Sequence, residues 1–225
     1  MIQLEQVVKH YAGGMGVGPV DFGAADGEVC GIVGPNGAGK STLFGIIAGT
    51  VEHYAGSWVL DGANLQDIER GTIGYLPEEP FCFPSFTPRE FCAFDSGMRD
   101  LGLSAGEIDG HLKSFGCGHF ADTKISRLSQ GMAKRVSIAC AFAGNPRLIL
   151  LDEPLNAIDI MTTISLKEHV LRAKQRGCTV LISSHILDFI DEVADRVIFL
   201  DEGVIVADFN PRDVKAENMY KRCFI

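Results

Sequence analysis

The chain has 225 residues and lacks an apolar run long enough to cross a membrane, which takes about 18 consecutive residues. Its longest apolar stretches, residues 136–144 and 148–151, stop far short of that length. The N-terminus lacks a basic stretch that leads into an apolar one, so we expect no signal peptide. Repeats and low-complexity segments are missing, and an apolar fraction of 46% excludes a disordered chain. These absences predict a folded globular protein with no spanning segment of its own.

Basic residues are scarce relative to acidic ones, with 20 Lys and Arg against 29 Asp and Glu. The formal net charge is therefore −9 at pH 7. A general nucleic-acid clamp needs a strongly basic surface, because it must displace counterions from phosphates. The acidic balance argues against such a protein, and we expect no nucleic-acid partner.

Paired cysteines are also missing: the seven cysteines are scattered, and no Cys-x-x-Cys motif occurs. Several of them lie in apolar stretches, where a free cysteine behaves as a small hydrophobic residue. This usage predicts a reducing, cytoplasmic compartment. A zinc site built from Cys82, Cys92, Cys117 and His119 fits no standard ligand spacing. We expect Cys117 and His119 to lie in a surface turn instead.

Strand-like apolar segments alternate with helical patterns, which predicts an α/β fold with a mostly parallel sheet. Strands are expected at residues 2–8, 28–33, 57–60, 71–76, 147–151, 178–183 and 196–200. Helices are expected at residues 40–48, 161–176 and 186–194. The glycine-rich residues 13–18 predict a turn. Between residues 77 and 145 prolines, phenylalanines and helical patterns predominate, which predicts a helical insertion.

The strongest chemical signal is the segment Gly34-Pro35-Asn36-Gly37-Ala38-Gly39-Lys40-Ser41, which matches the P-loop pattern G-x-x-x-x-G-K-[ST]. An apolar strand precedes it and a helix follows, as that pattern requires. The glycines let backbone N–H groups surround phosphate oxygens, and the helix N-terminus adds a favourable dipole. Lys40 is expected to reach the β- and γ-phosphates, and the Ser41 hydroxyl to bind Mg²⁺.

A second signal is the apolar run Leu148–Leu151, which is followed by Asp152, Glu153 and Pro154. An apolar run of this kind is typical of a central parallel strand whose two faces are both covered. Ligands of such sheets bind beyond the carboxyl ends of the strands, which places both carboxylates at the phosphates. Asp152 suits the Mg²⁺ shell, and Glu153 suits a general base that polarises the attacking water.

Between these motifs stands Leu128-Ser129-Gln130-Gly131-Met132, at the start of a predicted helix that extends to residue 143. A P-loop, a Leu-Ser-x-Gly helix start and a hydrophobic-Asp-Glu-Pro segment, in this order, resemble the ATP-binding cassette (ABC) ATPases over nearly the whole chain. Asn156-Ala157-Ile158-Asp159 resembles the D-loop of that family, and His185 resembles its switch histidine. Tyr11 stands where the family places an aromatic ring against adenine. Residues 74–79 resemble the Q-loop, with Glu78 at the glutamine position.

The resemblance implies a single ABC ATPase domain over residues 1–225, with a P-loop NTPase (RecA-like) core, an antiparallel β subdomain and a helical subdomain. The core and β subdomain would cover residues 1–76 and 146–225, and the helical signature subdomain residues 77–145. A head-to-tail homo- or heterodimer that sandwiches two ATP molecules is also implied. Ser129 and Gly131 would face the partner's P-loop, His185 would contact the γ-phosphate, and Asp159 would act across the interface. The implied catalytic residues are Glu153, His185 and Lys40.

The cofactors implied in this way are ATP and Mg²⁺, with Ser41, Asp152 and Glu78 as metal-binding residues. The implied nucleotide-binding residues are Tyr11, Gly34, Pro35, Asn36, Gly37, Ala38, Gly39, Lys40, Ser41, Thr42, Ser129, Gly131 and Asp159. The sequence departs from the family at Glu78, which adds a negative charge in place of a neutral amide, while Glu79 leaves the alignment open by one position. Gln130 and Met132 replace the common glycine and glutamine. Ser129 and Gly131 are kept, so we expect hydrolysis to survive.

A cassette of this family pairs with transmembrane permease subunits, whose cytoplasmic helices dock beside the Q-loop and the helical subdomain. The aromatic segment Phe81–Phe94 falls there, and the sequence leaves open whether its rings are core or docking surface. The Q-loop segment resembles cassettes of bacterial exporters for drugs, peptides or lipids, so we expect export at the inner face of the cell membrane. Two alternatives stay open: a soluble ABC ATPase without a membrane partner, as in cofactor assembly, and a regulatory module that hydrolyses ATP weakly because of Glu78.

Overall fold

A computed structural model of the chain describes residues 1–14 and 16–225, which contain nine strands and seven α-helices. The strands are β1 (Ile2–His10), β2 (Gly16–Ala24), β3 (Val29–Val33), β4 (Ala55–Leu60), β5 (Ile73–Leu76), β6 (Leu148–Asp152), β7 (Thr179–Ser183), β8 (Arg196–Asp201) and β9 (Val204–Phe209). The helices are α1 (Lys40–Ile47), α2 (Pro88–Met98), α3 (Ala105–Ser114), α4 (Gln130–Phe142), α5 (Ile160–Gln175), α6 (Leu187–Val193) and α7 (Ala216–Phe224). Within these described residues, no helix combines the length and the apolar character that crossing a bilayer requires.

Six strands form one sheet in the order β5-β6-β7-β3-β8-β9, and the first five of these run parallel. Strand β9 pairs antiparallel with β8. Every residue of β3, β6 and β7 is buried, as their apolar runs predict for strands covered on both faces. Because the carboxyl ends of parallel strands meet at one edge, the residues that follow β3, β6 and β7 come together there. The predicted α/β fold with a mostly parallel sheet is confirmed.

A smaller antiparallel sheet has the order β2-β1-β4 and shares an apolar cluster with α1 and one face of the large sheet. The predicted turn over residues 13–18 is wrong from Gly16 onward, because β2 begins there. Val20, Phe22 and Ala24 alternate into the core, and pairing with β1 overrides the low strand propensity of the glycines and the proline in β2. Met15, inside the predicted turn, lies outside the described residues.

Helices α2, α3 and α4 occupy the predicted insertion at residues 77–145. Thr87 and Ser104 begin α2 and α3 with capping boxes, in which the side chains of Glu90 and Glu107 bond back to the cap backbone. One continuous apolar cluster joins the insertion to α5, α6 and a face of the large sheet. The insertion therefore shares its core with the sheet, and the division of the chain into subdomains stays a prediction.

The phenylalanines of the insertion gather around Phe83. Its ring centroid lies 5.0–6.3 Å from those of Phe81, Phe86, Phe91 and Phe94. Phe81 is 72% exposed and Phe94 42%, while the other three rings are half-buried. These five residues form a cluster at the surface of the insertion, which we call the aromatic cluster.

The expectation that Cys117 lies in a surface turn is wrong. Cys117 is completely buried, whereas His119 is exposed. Gly116 ends α3 with a φ of 71°, and the Cys117 N–H then bonds to the Leu112 carbonyl oxygen at 2.8 Å. This ending turns the residue after the glycine back onto the last turn of the helix, where an apolar side chain is preferred.

Candidate nucleotide-binding site

The P-loop connects the buried strand β3 to α1 through a tightly enclosed backbone. A Cβ atom on Gly34 would lie 2.1 Å from the carbonyl oxygen of Leu200, and one on Gly39 would lie 2.5 Å from that of Gly16. Gly39 also has a φ of 100°, a conformation that residues with a Cβ rarely adopt. Glycine is therefore required at both positions by contacts with β8 and β2.

Lys40 opens α1 and is 8% exposed. Its Nζ atom donates to the carbonyl oxygens of Gly34 and Pro35, at 2.8 and 3.1 Å. The ammonium group is thus held against the loop by neutral acceptors. Because these acceptors carry no full charge, an anion in the loop would be a stronger partner for the lysine.

A cavity of about 300 Å³ lies beside the P-loop. Ten described residues line it: Tyr11, Gly16, Asn36, Gly37, Gly39, Lys40, Ser41, Thr42, Glu78 and Glu153. Nine of these ten were predicted as site residues, and the tenth, Gly16, was read as part of a turn. Of the two adjacent glutamates at the Q-loop position, Glu78 lines the cavity. Tyr11 is 44% exposed, and the Lys9 ammonium lies 5.3 Å from its ring centroid.

Asp152 lies at the end of β6, opposite Ser183 at the end of the neighbouring strand β7. Its Oδ1 atom accepts a hydrogen bond from the Ser183 hydroxyl, which in turn accepts from the backbone N–H of Glu153 at 2.8 Å. Its other carboxylate oxygen, Oδ2, is buried and has no hydrogen-bond partner among the described residues. Sequence reasoning missed Ser183, although a serine that ends an apolar strand just before His185 was a usable signal.

Glu153 has a φ of 45°, so its backbone leaves β6 in a left-handed turn that directs the side chain away from the strand. The carboxylate is 8% exposed, and its Oε2 atom lies 2.9 Å from Nδ1 of His185. The His185 side chain is 64% exposed and is not among the residues that line the cavity. The structure thus joins two of the three predicted catalytic residues, Glu153 and His185, to each other, with Glu153 on the cavity side.

The first turn of α4 carries the predicted signature residues. Ser129 is its exposed N-cap and accepts from the Met132 N–H at 3.2 Å. A Cβ on Gly131 would lie 2.6 Å from the Ala157 carbonyl oxygen, so glycine lets this turn pack against the loop after β6. Within the described part of the chain, neither Ser129 nor Gly131 lines the cavity.

Asp159 caps α5 at the end of that same loop. Its carboxylate accepts from the Thr162 N–H at 2.7 Å and from Arg135 of α4 at 3.0 Å. The hydrogen bonds from Thr162, followed by the charge of Arg135, lower the pKa of Asp159. Asp159 also lies outside the cavity lining. Its hydrogen bonds with Arg135 and Thr162 link α4 to the start of α5 within the chain.

Lys134 is a buried residue of α4 that sequence reasoning missed. Its Nζ atom donates to the carbonyl oxygen of Glu78 at 2.8 Å, beside a second cavity of about 360 Å³. Burial lowers the pKa of Lys134, and the carboxylates of Asp152, Glu78 and Glu153 oppose that shift. Burial, with Asp152 adding to it, raises the pKa of Tyr75 on β5 to about 12. A signal for this burial was present in the sequence. Lys134 precedes Ser137 and Ile138, which are both buried, by three and four residues, and this spacing places all three on one face of the helix.

Comparison with known proteins matches residues 17–156 to the family described as ABC transporter. The lantibiotic transport ATP-binding protein SrtF of Streptococcus pyogenes is 31% identical over 208 residues, which cover 92% of this chain and 90% of that protein. The lipopolysaccharide export system ATP-binding protein LptB of Haemophilus influenzae is 32% identical over 234 residues, which cover 100% of this chain and 97% of that protein.

A solved structure shows the same fold. It is the dimeric structure of an ATP-binding cassette in a post-hydrolysis state bound to ADP and Pi. This chain matches it with a TM-score of 0.85 and 26% identity, over 93% of this chain and 98% of that one. The chain therefore belongs to the ABC transporter family, as one of its ATP-binding cassette ATPases.

Proposed function

We propose that this ATPase drives substrate movement, as export, through separate membrane subunits of an ABC transporter. The observation that carries the proposal is the P-loop cavity, which gathers Tyr11, Lys40, two hydroxyl side chains and the Glu153 carboxylate around one volume. Each group suits a different part of ATP: a ring for the base, a cation and backbone amides for the phosphates, and a carboxylate for the attacking water. Adenine would lie on the face of Tyr11 that Lys9 leaves free.

Mg²⁺ is proposed to bind between Ser41 and Asp152. Ser41 lines the cavity, and Oδ2 of Asp152 is a buried carboxylate oxygen without a hydrogen-bond partner among the described residues. A buried carboxylate oxygen of this kind fits Mg²⁺ or one of its waters. When bound, Mg²⁺ neutralises charge on the β- and γ-phosphates. Glu78 is the third proposed ligand, as an acidic residue that also lines the cavity.

Hydrolysis is proposed to use Glu153 as the general base. Its carboxylate is nearly buried and is held by His185 at 2.9 Å, so its orientation toward the cavity is maintained. Lys40 would leave the carbonyl oxygens of Gly34 and Pro35 and bind the β- and γ-phosphates, since a charged acceptor is the stronger partner. Backbone N–H groups at the start of α1 would hold the same phosphates. His185 would contact the γ-phosphate while it holds Glu153.

A second cassette, identical or related, is proposed to complete the site. Ser129 is exposed at the N-terminus of a 13-residue helix, where backbone N–H groups and the helix dipole favour an anion. Because Ser129 and Gly131 lie outside the lining of their own cavity, a partner's nucleotide is the anion we assign to them, and Asp159 would act across the same interface. Head-to-tail pairing would supply it, and the dimeric cassette of the same fold supports the presence of a second cassette.

Transmembrane permease subunits are the proposed membrane partners, which would hold the chain at the cytoplasmic face of the membrane. The aromatic cluster begins three residues after Glu78, and its rim residues Phe81 and Phe94 are exposed. Exposed aromatic rings that follow Glu78 so closely in the sequence suit an interface through which closure of the cassettes is transmitted. LptB, which matches this chain over its whole length, is named as part of an export system, and we propose export on that basis.

Co-purification tests this function. The tagged chain, isolated from native membranes in mild detergent, is expected to retain a protein with several transmembrane helices. Phe81→Ser should release that partner and leave the ATPase rate of the isolated chain intact. The matched control is Val206→Ser on β9, another exposed apolar residue (45% exposed), which should keep the partner. A retained partner without transmembrane helices would contradict the transporter role and favour a soluble ABC ATPase.

A further inference from the structure

Three carboxylates border the place where the phosphates are proposed to bind. Glu78 and Glu153 line the cavity, and Asp152 is buried next to Glu153, with exposures of 1% for Asp152 and 6% for Glu153. A nucleoside triphosphate adds several negative charges to the same place. Among the described residues that line the cavity, Lys40 is the single cation. Charges this close to one another interact strongly, because partial burial reduces screening by water.

Lys134 is a second cation, and it contacts the backbone of Glu78 from outside the cavity lining. It is 5% exposed, and the negative charges of Asp152, Glu78 and Glu153 favour its charged form against the effect of burial. Its direct hydrogen bond is to the backbone carbonyl of Glu78, at 2.8 Å. It thus ties α4, the helix that carries the signature residues, to the loop that follows β5.

We propose that Lys134 is the internal counter-charge that allows an acidic residue to occupy position 78 beside the nucleotide. It is a positioning residue: its ammonium holds the Glu78 loop through the carbonyl oxygen and offsets the Glu78 carboxylate, so that the loop does not repel ATP. The inference rests on the proposed placement of Glu78 at the nucleotide.

The charge of Lys134, rather than its hydrogen bond alone, is the feature that this role explains. An uncharged amide side chain can donate to the same carbonyl oxygen at a lower desolvation cost. Burying an ammonium is costly unless opposite charges offset the loss of water, and the carboxylates of Asp152, Glu78 and Glu153 act in that direction. The negative charge of Glu78 at the Q-loop position and the positive charge of the buried Lys134 therefore offset each other.

A double-mutant cycle on the full chain tests the proposal. Lys134→Gln keeps an N–H donor without charge, and Lys134→Met removes both. The measurement is the Kd of a fluorescent ATP analogue in the absence of Mg²⁺, so that the proposed metal-binding role of Glu78 does not contribute, with thermal unfolding as the check on folding. Lys134→Gln and Lys134→Met are each expected to raise the Kd about ten-fold, the size of a coupling between charged neighbours. Glu78→Gln in either background should restore the Kd to within about two-fold of the Glu78→Gln single variant.

Glu79→Gln is the matched control. It removes the same charge one residue away, and Glu79 lines the second cavity but not the P-loop cavity. It should not rescue either Lys134 variant. Additive effects of Lys134→Gln and Glu78→Gln would overturn the inference, as would a Lys134→Gln Kd equal to that of the wild type. Where the uncharged variants unfold, Lys134→Arg keeps the charge and should bind ATP as the wild type does; a weakened Kd there would overturn the inference.

The same cycle separates this inference from the proposed function. If Glu78→Gln alone leaves the Kd unchanged, Glu78 does not act on the nucleotide, and both the placement of Glu78 and the inference fail. If Glu78→Gln tightens ATP binding but does not rescue the Lys134 variants, only the inference fails. The transporter role depends on neither result, because the membrane partner is detected by co-purification.

Discussion

The P-loop and the start of α4 each contain a helix N-terminus, but the surroundings of the two N-termini differ. The P-loop is enclosed by its own chain, since a Cβ on Gly34 or Gly39 would collide with a carbonyl oxygen from another strand. The start of α4 packs against Ala157 on one side, while its cap Ser129 is exposed on the other. One anion-binding terminus therefore faces a cavity, and the other faces outward. The proposed head-to-tail pairing with a second cassette would account for this contrast.

The largest effect is expected on the enclosed side, at Glu153. Glu153→Gln keeps the shape of the side chain but removes the proposed base, so hydrolysis should fall about 10²- to 10⁴-fold. ATP binding should persist, and the variant should form an ATP-dependent dimer on size-exclusion chromatography because the nucleotide is no longer consumed. Glu168→Gln, a surface carboxylate of α5 paired with Arg172, is the control and should hydrolyse normally. Equal rates in Glu153→Gln and the wild type would refute the role of Glu153.

A smaller effect is expected from adding one methyl group to the P-loop. Gly34→Ala would place a Cβ 2.1 Å from the Leu200 carbonyl oxygen. The loop must move, which should lower the free energy of unfolding by about 2 kcal/mol and weaken ATP binding. Gly110→Ala in α3 is the matched control, because a Cβ there meets nothing within 4 Å. It should raise the free energy of unfolding by about 1 kcal/mol, since alanine favours a helix interior. Urea unfolding of both variants checks the contrast.

The outward-facing terminus is tested by removing its cap. Ser129→Ala loses the bond from the Met132 N–H and should cost about 1 kcal/mol of stability. Ser104→Ala, which removes the cap of α3, should cost a similar amount. In the Glu153→Gln background, only Ser129→Ala should abolish the ATP-dependent dimer. If both cap variants still dimerise, the signature face does not contact the partner's nucleotide.

The smallest expected effect is a dependence of stability on pH, which comes from His111 of α3 and His169 of α5, where the insertion packs against the core. The ring of His169 stacks on Phe115 at 3.7 Å, and burial lowers the pKa of both histidines below the usual 6.5. The unfolded chain therefore takes up protons first as the pH falls. Stability should be complete above pH 6.5 and decrease as the pH falls below that value.

Neighbouring charges modify this pH dependence. Arg99 and Arg176 add to the lowering for His111, and Arg172 does so for His169, whereas Glu168 opposes it. His169→Phe keeps a ring against Phe115 without a titrating group, so the stability of this variant should depend less on pH. The urea midpoints of the variant and the wild type, measured between pH 5 and pH 8, provide the check. If the midpoint changes with pH equally in both proteins, His169 does not contribute.

Much of the site was predictable from the sequence, because its phosphate-binding side is encoded in short segments. The glycine spacing that ends in Lys40 and Ser41, and the apolar run that ends in Asp152 and Glu153, each lie within one local stretch of chain. Strand β2 was missed because its glycines and proline are typical of a turn. The burial of Cys117 was missed for a related reason, since the turn at Gly116 points the next residue inward.

The sequence by itself determined the α/β fold, the family, and the order of the motifs along the chain. The fold class follows from hydrophobic periodicity, which acts over a few neighbouring residues, and the family follows from the resemblance of the ordered motifs to the ABC ATPases. Only the tertiary structure decided that Ser183 bridges Asp152 and Glu153, and that Lys134 lies behind Glu78. Both contacts join segments that are 30 or more residues apart. Their pairing depends on strand register and on how α4 packs against the loop after β5, and no local pattern encodes either.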